Sequence, residues 1–447
     1  MAGPSGSARS ATPVSVGAGS CANAAGLAGG TDAVAGVAVG AAAGPAGESG
    51  VAGASSGAAA EPAVPPMWRS SFPAMGTRVD IIGWGGNGMA IVNAIVEVVA
   101  RHEDLWRVVR GSSEVSRLNA AVASAGGGEG VSRHLAESAE ASAGLVVSED
   151  TDRLLRGALA LAEATGGAFN PMIGPLVAAW DVKAMRAAYV AGAPLPPAPS
   201  SRVVEAALRA SSWGLLSRVG ERRWAVGVPA ESVGGVDAPS PRLDLGGIAK
   251  GDTADACRDL AVSMGARGVL VSVGTSSVSV SGTRADGSPW RAGLRDPHGA
   301  PTAIAGVVEL PADGMASLST SGDNLGPLGD ARALCAGPVS ERAAERVAER
   351  AAERAADLRG RETSRETPGG GGRIFDHHII DPRTGYPARL GVRQVSVVAS
   401  SGVLAEALST ALLVDPSIDV SDVAARWARA MGAPASAKVV GLVRAGR

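Results

Sequence analysis

The chain has 447 residues, of which 46% are hydrophobic and only 3% are aromatic, and its formal net charge is −2. This length accommodates one large domain or two ordinary ones, with a core built mainly from Val, Leu, Ile and Ala. The lack of a basic excess argues against a nucleic-acid partner. No apolar run reaches the roughly 18 residues that a transmembrane segment needs. The three cysteines are far apart, which argues against a disulfide framework or a zinc site.

The first 66 residues are almost entirely Ala, Gly, Ser, Pro and Val. A segment of this composition buries too little apolar surface to offset its ordering entropy, so we predict a disordered tail over 1–66. Ordered structure should begin near Met67 and form one catalytic domain over 67–415, with 416–447 as an extension of that domain. No secretory signal peptide is evident, which favours a cytoplasmic location and leaves export or membrane association open.

Hydrophobic periodicity predicts both helices and strands. The predicted strands cluster along the chain instead of alternating with helices, which favours an α+β fold with antiparallel or mixed strands and flanking helices. In chain order, the predicted elements are a strand over 77–81, helices over 91–106 and 152–165, a helix after Gly251, strands over 269–273, 277–281, 290–295 and 395–399, and a helix over 402–413.

A charged segment interrupts the second half of the chain. Arginine recurs every four residues, and so does glutamate, with alanine between them: Arg342, Arg346, Arg350, Arg354, Glu345, Glu349 and Glu353. Oppositely charged pairs three residues apart support an isolated helix, and the apolar seam of a coiled coil is missing. We therefore predict a solvated helical insertion over about 337–371.

The first segment with chemical potential is HHIIDPRTGYP at 377–387. Asp-Pro-x-Thr-Gly favours a turn, and imidazole can move protons near neutral pH. Two neighbouring histidines in a chain with five of them therefore suggest a proton-transfer role for His377 or His378. The alternative is a structural pair, with one ring packed and the other exposed.

The second segment is LDLGGIAKGD at 243–252. Its glycines permit close approach of a ligand to the backbone, Lys250 suits a phosphate, and the following helix would present its N-terminus to an anion. The segment matches neither of the common nucleotide-binding glycine patterns. The alternative is a glycine-rich connection that carries a solvated lysine.

The third segment is LAEALSTA at 404–411. On a helix, Glu406 and Thr410 lie one turn apart on the same face. A carboxylate and a hydroxyl in this arrangement can share a hard cation through oxygen. The alternative is an amphipathic helix whose Glu406 and Thr410 face water.

Together these segments resemble the signatures of the FAD:protein FMN transferase (ApbE) family, which read DLGGIAKG, HHIIDPRTGYP and ADALST. Further resemblances follow in the family's order, and they cover about residues 70–415 apart from the charged insertion. They are AMGT at 74–77, SEVSRLN at 113–119, GAFNP at 167–171 with GPLV at 174–177 and Trp180, WRAGLRDP at 290–297, and STSGD at 319–323.

The resemblance implies one catalytic domain of the ApbE type and a set of ligand contacts. By position, the residues that would contact FAD are Met75, Trp180, Asp181, Val182, Asp244, Lys250 and Ile380. Magnesium would bind to the backbone carbonyl of Gly247 and to the side chains of Glu406, Ser409 and Thr410. His378 would be the catalytic proton acceptor or orienter.

The resemblance also implies a reaction. The enzyme would transfer FMN from FAD to a Thr or Ser hydroxyl of an acceptor flavoprotein and release AMP, and the acceptor would carry a D-x-x-[S/T]-G-A-[S/T]-like segment. Two alternatives remain open. One is an enzyme of the same fold that hydrolyses FAD to FMN and AMP, and the other is a protein that binds FAD without catalysis.

Several positions depart from the family's pattern. Glu406 replaces an aspartate in the metal site, Asn170 replaces another aspartate, and the Thr275-Ser276 pair replaces Gly-Asp or Gly-Asn. The tyrosine expected to stack on adenine is Val109, so either Trp106 substitutes for it or stacking is lost. The tyrosine that often follows SGD is Asn324.

Overall fold

The computed structural model describes residues 37–38, 65–108, 111–126, 144–191, 196–229, 239–297, 303–311, 315–322, 378–388 and 390–444. The predicted insertion over 337–371 lies outside these residues, and so do His377, Val109 and Asn324. The predicted tail over 1–66 also lies outside them, except for 65–66 and Val37–Ala38. Those two residues form a short strand, β1, that pairs antiparallel with the strand Trp290–Arg295.

The described residues contain helices and strands in an uneven order along the chain. The helices are α1 Gly88–Trp106, α2 Glu114–Gly126, α3 Glu149–Ala164, α4 Gly174–Ala179, α5 Val182–Ala191, α6 Ser201–Ala210, α7 Ala249–Ser263, α8 Gly402–Val414 and α9 Val420–Met431. After β1, the strands are β2 Met67–Ala74, β3 Thr77–Gly85, β4 Leu145–Val146, β5 Leu216–Gly220, β6 Arg223–Val226, β7 Ala266–Val273, β8 Ser277–Gly282, β9 Trp290–Arg295, β10 Ile304–Leu310, β11 Met315–Gly322, β12 Val392–Ala399 and β13 Ala437–Arg444.

One seven-stranded antiparallel sheet organises the fold. Its strand order is β13-β12-β11-β8-β7-β3-β2, and two three-stranded sheets have the orders β1-β9-β10 and β4-β6-β5. The α+β prediction is confirmed. Each predicted helix and strand that falls on described residues is present, with ends displaced by a few residues, as for β12, which begins at Val392. Helix α9 and strand β13 lie in the region assigned to a C-terminal extension, and β13 completes the edge of the large sheet.

The two faces of the large sheet are covered by different elements. Helices α7 and α8 pack on one face, where α8 contacts β11 and β12 and α7 contacts β7 and β8. Side chains of β9 and β10 cover the other face through an apolar cluster that includes Trp290, Leu294 and Leu310. Among the described residues, none of the helices is long and apolar enough to cross a membrane.

Helices α7 and α8 approach each other through two glycines near their N-terminal ends. A Cβ atom at Gly251 would lie 2.3 Å from the carbonyl oxygen of Gly402, and one at Gly402 would lie 2.3 Å from the oxygen of Gly251. Any side chain at either position would force the helices apart. This contact brings the second and third segments of the sequence analysis together, although about 150 residues separate them in the chain.

Candidate functional site

The LDLGGIAKGD segment forms a tight turn that leads into α7. The backbone N–H of Asp244 donates to the carbonyl of Pro171 over 2.8 Å, and the Asp244 carboxylate accepts from the N–H of Gly246 over 2.9 Å. One helical turn later, Lys250 Nζ lies 3.2 Å from the Gly246 carbonyl. The Lys250 side chain is thus folded back toward Gly246. Its ammonium group and the N-terminal end of α7 place positive charge on the same side of the turn.

Glu406 lies at the contact between α7 and α8. Its carboxylate is buried, with one oxygen accepting the N–H of Gly251 over 2.8 Å and the other accepting the hydroxyl of Ser277. Lys250 Nζ lies 3.4 Å from the oxygen bound by Ser277. Helix α8 is buried at almost every residue, so the alternative of an amphipathic helix with Glu406 facing water is wrong.

Hydroxyl groups extend the polar surface beyond Glu406. Ser321 Oγ, at the end of β11, lies 3.2 Å from Thr410 Oγ1 and 2.7 Å from Ser409 Oγ. Ser409 is fully buried and also donates to the Glu406 carbonyl over 3.0 Å, with Ser319 Oγ at 3.1 Å. Thr410 and Ser321 are only partly buried. They are therefore the more accessible hydroxyls, and Ser409 lies behind them.

These donors fit a hard divalent cation. Glu406 supplies a carboxylate, Thr410 and Ser321 supply hydroxyls, and Gly247, in the turn before α7, has a partly exposed backbone. Oxygen ligands of this kind suit Mg²⁺ and do not suit Zn²⁺. Within the described residues, no three His, Cys, Asp or Glu side chains converge on one point, so this cluster depends on one carboxylate assisted by neutral oxygens.

Trp180 and Ile380 form a second group of predicted FAD contacts. Both are buried in a small apolar cluster with Leu176, and the Trp180 indole N–H donates to the Gly385 carbonyl over 2.8 Å. Asp181 follows in a left-handed conformation, with a φ of 44°. Its carboxylate accepts the N–H of Ala184 and so caps α5, whose first residue is Val182.

His378 precedes the turn predicted for Asp-Pro-x-Thr-Gly. Ile380 pairs with Pro387 in an isolated antiparallel bridge, and the Gly385 N–H donates to the Asp381 carbonyl over 2.9 Å. His378 is half-buried at the start of this loop. The turn is confirmed, and it holds the histidine on a short, hydrogen-bonded loop.

The segment 169–176 links the turn before α7 with the cluster of Trp180 and Ile380. Phe169 packs against Gly247, because a Cβ atom built on Gly247 would lie 3.5 Å from the Phe169 ring. The carbonyl of Pro171 accepts a hydrogen bond from the N–H of Asp244. At its other end, Leu176 contacts the cluster of Trp180 and Ile380.

Met75 lies in the β2–β3 turn with a φ of 52° and packs against the edges of the two largest apolar clusters.

The structure explains Asn170, one departure from the family's pattern, and shows the surroundings of Trp106, the candidate substitute for an adenine-stacking tyrosine. The Asn170 amide donates to the Ser211 carbonyl over 2.7 Å, and its oxygen accepts from the N–H of Met172, so this site uses both ends of an asparagine. Trp106 is only 4% exposed, and its indole N–H donates to Thr151. It is therefore enclosed and does not substitute for the adenine-stacking tyrosine.

Sequence reasoning missed several residues at this site: Ser277, Ser321, Gly251 and Gly402. The signal for the serines was present, because Ser277, Ser279, Ser317, Ser319 and Ser321 occupy alternate positions of two strands. The register places Ser277 opposite Ser319 and Ser279 opposite Ser317. Serines on one face of a buried sheet require polar partners, but the pairing of β8 with β11 was not visible in the sequence.

Comparisons with known proteins point to one family. The profile described as the ApbE family matches residues 75–327 and 350–432. A protein of Treponema pallidum (strain Nichols) named FAD:protein FMN transferase is 32% identical over 286 residues, covering 61% of this chain and 62% of that protein. One of the same name from Rhodobacter capsulatus is 28% identical, covering 76% of this chain and 49% of its own length. The chain thus spans less than two thirds of these relatives.

Solved structures of similar fold agree with this match. The crystal structure of an ApbE protein from Thermotoga maritima is 25% identical, with a TM-score of 0.53, and covers 85% of this chain and 97% of the other. The flavin transferase ApbE from Vibrio cholerae has a TM-score of 0.54 at 20% identity with the same coverage. Because the family profile spans well over half of the sequence, this chain belongs to the ApbE family.

Proposed function

We propose that the chain transfers FMN from FAD to a threonine or serine hydroxyl of an acceptor flavoprotein and releases AMP, with magnesium as the metal. The observation that carries this proposal is the contact of Glu406 with Gly251, Ser277 and Lys250. It joins a buried carboxylate, a lysine and the N-terminus of a helix, which are the groups that a pyrophosphate and its cation require. The names of the relatives support flavin as the transferred group.

In this proposal, the acceptor hydroxyl attacks the phosphorus on the FMN side of the pyrophosphate. A bond forms between the hydroxyl oxygen and that phosphorus, and the bond from the phosphorus to the bridging oxygen breaks, with AMP leaving. His378 accepts the proton from the hydroxyl, which is otherwise a weak nucleophile. Lys250 holds the phosphate oxygens, and Met75, Trp180, Asp181, Val182, Asp244 and Ile380 orient the flavin nucleotide.

Magnesium, when bound, would neutralise charge on the phosphate oxygens in the transition state. The residues that would hold it are Glu406 and Thr410 through side chains and Gly247 through its carbonyl, with Ser409 behind Thr410. Magnesium favours regular octahedral geometry and oxygen ligands, and the donors of this cluster are all oxygen.

The experiment is to incubate the protein with FAD, Mg²⁺ and a carrier protein that contains a D-x-x-[S/T]-G-A-[S/T] segment, and to measure the intact mass of the carrier. We expect the carrier to gain one FMN with release of one AMP, and a carrier whose target hydroxyl residue is replaced by alanine to gain none. An excess of chelator should stop the reaction.

The same assay separates the alternatives. Release of FMN and AMP at equal rates with and without carrier would indicate hydrolysis of FAD. FAD that remains intact while bound to the protein would indicate a binding protein without catalysis. Either result would contradict the proposed transfer.

A further inference from the structure

The first residue of β8, Ser277, is buried between the sheet and helix α8 with a side chain directed at Glu406. Its hydroxyl donates to one carboxylate oxygen, while the Gly251 N–H donates to the other over 2.8 Å. Ser277 is only 1% exposed. We propose that Ser277 is a positioning residue that orients the Glu406 carboxylate toward the divalent cation, an inference that rests on the proposed function.

The extra methylene of Glu406 explains why such a residue is needed. A glutamate has one more rotatable bond than an aspartate, so its carboxylate is less well fixed by the backbone. Magnesium requires ligands near ideal octahedral positions and adapts poorly to a misplaced one. A hydrogen bond on each oxygen fixes the plane of the carboxylate and leaves a further lone pair on each oxygen for a cation.

No other side chain described near this carboxylate can do the same. Lys250 Nζ is 3.4 Å from the oxygen that Ser277 contacts, which is long for a hydrogen bond, and the lysine is partly exposed. The hydroxyls of Ser319 and Ser409 bond to each other, and Ser409 donates to the Glu406 carbonyl, not to the carboxylate. Ser277 is thus the neutral side-chain donor that holds the carboxylate.

A purely structural role for Ser277 is the competing interpretation. A buried carboxylate needs hydrogen bonds whether or not it binds a metal. The two interpretations differ in what happens when Glu406 is shortened. If Ser277 acts through the longer side chain, its effect on metal affinity should disappear with Glu406→Asp. If Ser277 has a purely structural role, the effect of its removal on metal affinity should be the same in the Glu406→Asp background.

The test measures metal binding directly. Mn²⁺ binding to the FAD-saturated full chain would be followed by the electron paramagnetic resonance of free Mn²⁺, without an acceptor. We expect Ser277→Ala to weaken Mn²⁺ affinity about ten-fold or more, since it removes a hydrogen bond to a charged ligand. The matched control is Ser279→Ala, which removes a hydroxyl on the same strand and face that donates to Asp255 over 2.6 Å, and which should leave Mn²⁺ affinity unchanged.

The double variant decides between the interpretations. In the Glu406→Asp background, Ser277→Ala should change Mn²⁺ affinity by less than about two-fold, so that nearly all of the single-variant effect is coupling. Equal affinity of Ser277→Ala and the parent, or the same fold-loss in both backgrounds, would overturn the inference. If the parent still transfers FMN in either of those outcomes, the proposed function is retained and only the role of Ser277 is rejected. A parent that binds no Mn²⁺ overturns both the inference and the metal site of the proposed function.

Discussion

Helix α7 contributes to two polar clusters, each built around a buried carboxylate, and the two carboxylates have different partners. In the Glu406 cluster (Lys250, Gly251, Ser277 and Glu406), the carboxylate accepts from a backbone N–H and a hydroxyl. In the closed cluster (Arg153, Asp252, Thr253 and His102), the Asp252 carboxylate receives both ends of the Arg153 guanidinium, one of them over 2.9 Å.

The closed cluster pairs its buried carboxylate with an arginine. Asp252 is 1% exposed and its charge is compensated by Arg153 of α3. Beside it, His102 of α1 is fully buried, with Nδ1 2.9 Å from Thr253 Oγ1. Since the Thr253 hydroxyl donates to the Ala249 carbonyl, it accepts from the histidine, which fixes the neutral tautomer with the proton on Nδ1.

The difference is consistent with the proposed function, in which Glu406 and not Asp252 binds the metal. Neutral donors hold both oxygens of Glu406, and Lys250 lies 3.4 Å from one of them without forming a bidentate pair. A bidentate arginine both orients and neutralises Asp252. The two carboxylates should therefore respond differently to substitution, Asp252 through stability and Glu406 through function.

The largest expected effect is on the closed cluster. Arg153→Met should lower the free energy of unfolding by about 3–5 kcal/mol, because it leaves the Asp252 charge buried without a partner. Urea unfolding measures this value. Arg153→Met combined with Asp252→Asn should recover part of the loss, because the buried charge is gone. Unchanged stability of the single variant would show that Asp252 is better solvated than its burial implies.

The second effect is a pH dependence from His102. Burial lowers its pKa from 6.5 to about 4, with Asp150 nearby opposing the shift and Arg101 and Arg153 adding to it. The unfolded chain therefore binds the proton first, and stability should fall as the pH drops from about 6.5 to about 4, by about 3 kcal/mol in total. Above about pH 7 this contribution should be flat. In His102→Gln the slope between pH 6.5 and 4 should be smaller by this amount, and an identical slope would exclude His102 as its source.

The third effect concerns Glu406. Glu406→Gln should reduce FMN transfer on the order of 10²-fold, as expected when one electrostatic contact to the transition state is lost. The fold should tolerate it, because the amide oxygen can accept from Gly251 and the NH₂ can donate to Ser277. Glu406→Asp should retain activity. The measurement is transfer rate against Mg²⁺ concentration, and coincident curves for Glu406→Gln and the parent would remove Glu406 from the metal site.

The smallest effect is expected at Lys250, which distinguishes it from Arg153. Lys250→Ala should weaken FAD binding about ten-fold, since it removes a charged partner of a phosphate. Stability without FAD should change little, because Glu406 keeps its two neutral donors. Calorimetric titration with FAD and urea unfolding of the free protein test both parts. A large loss of stability with unchanged FAD affinity would mean that Lys250 serves Glu406 as Arg153 serves Asp252.

Local patterns in the sequence predicted much of the fold. Apolar periodicity correctly indicated α1, α3, α7 and α8, and the Asp-Pro-x-Thr-Gly turn at 381–385 formed as expected. Alternation of Ser and Val identified β8 as a strand. Its first four residues are all buried, because β9 and β10 cover one face and helices cover the other.

The sequence by itself indicated the family, four of the helices and five of the strands, and it singled out Lys250 and Glu406, which the structure brings together. Those properties depend on local propensity and on motifs that are continuous in the chain. Only the tertiary structure decided that Ser277 faces Glu406, that Trp106 is enclosed, and that Gly251 meets Gly402. Each of these contacts joins residues distant in sequence. They depend on strand order and on helix approach within a close-packed interior, which no local pattern encodes.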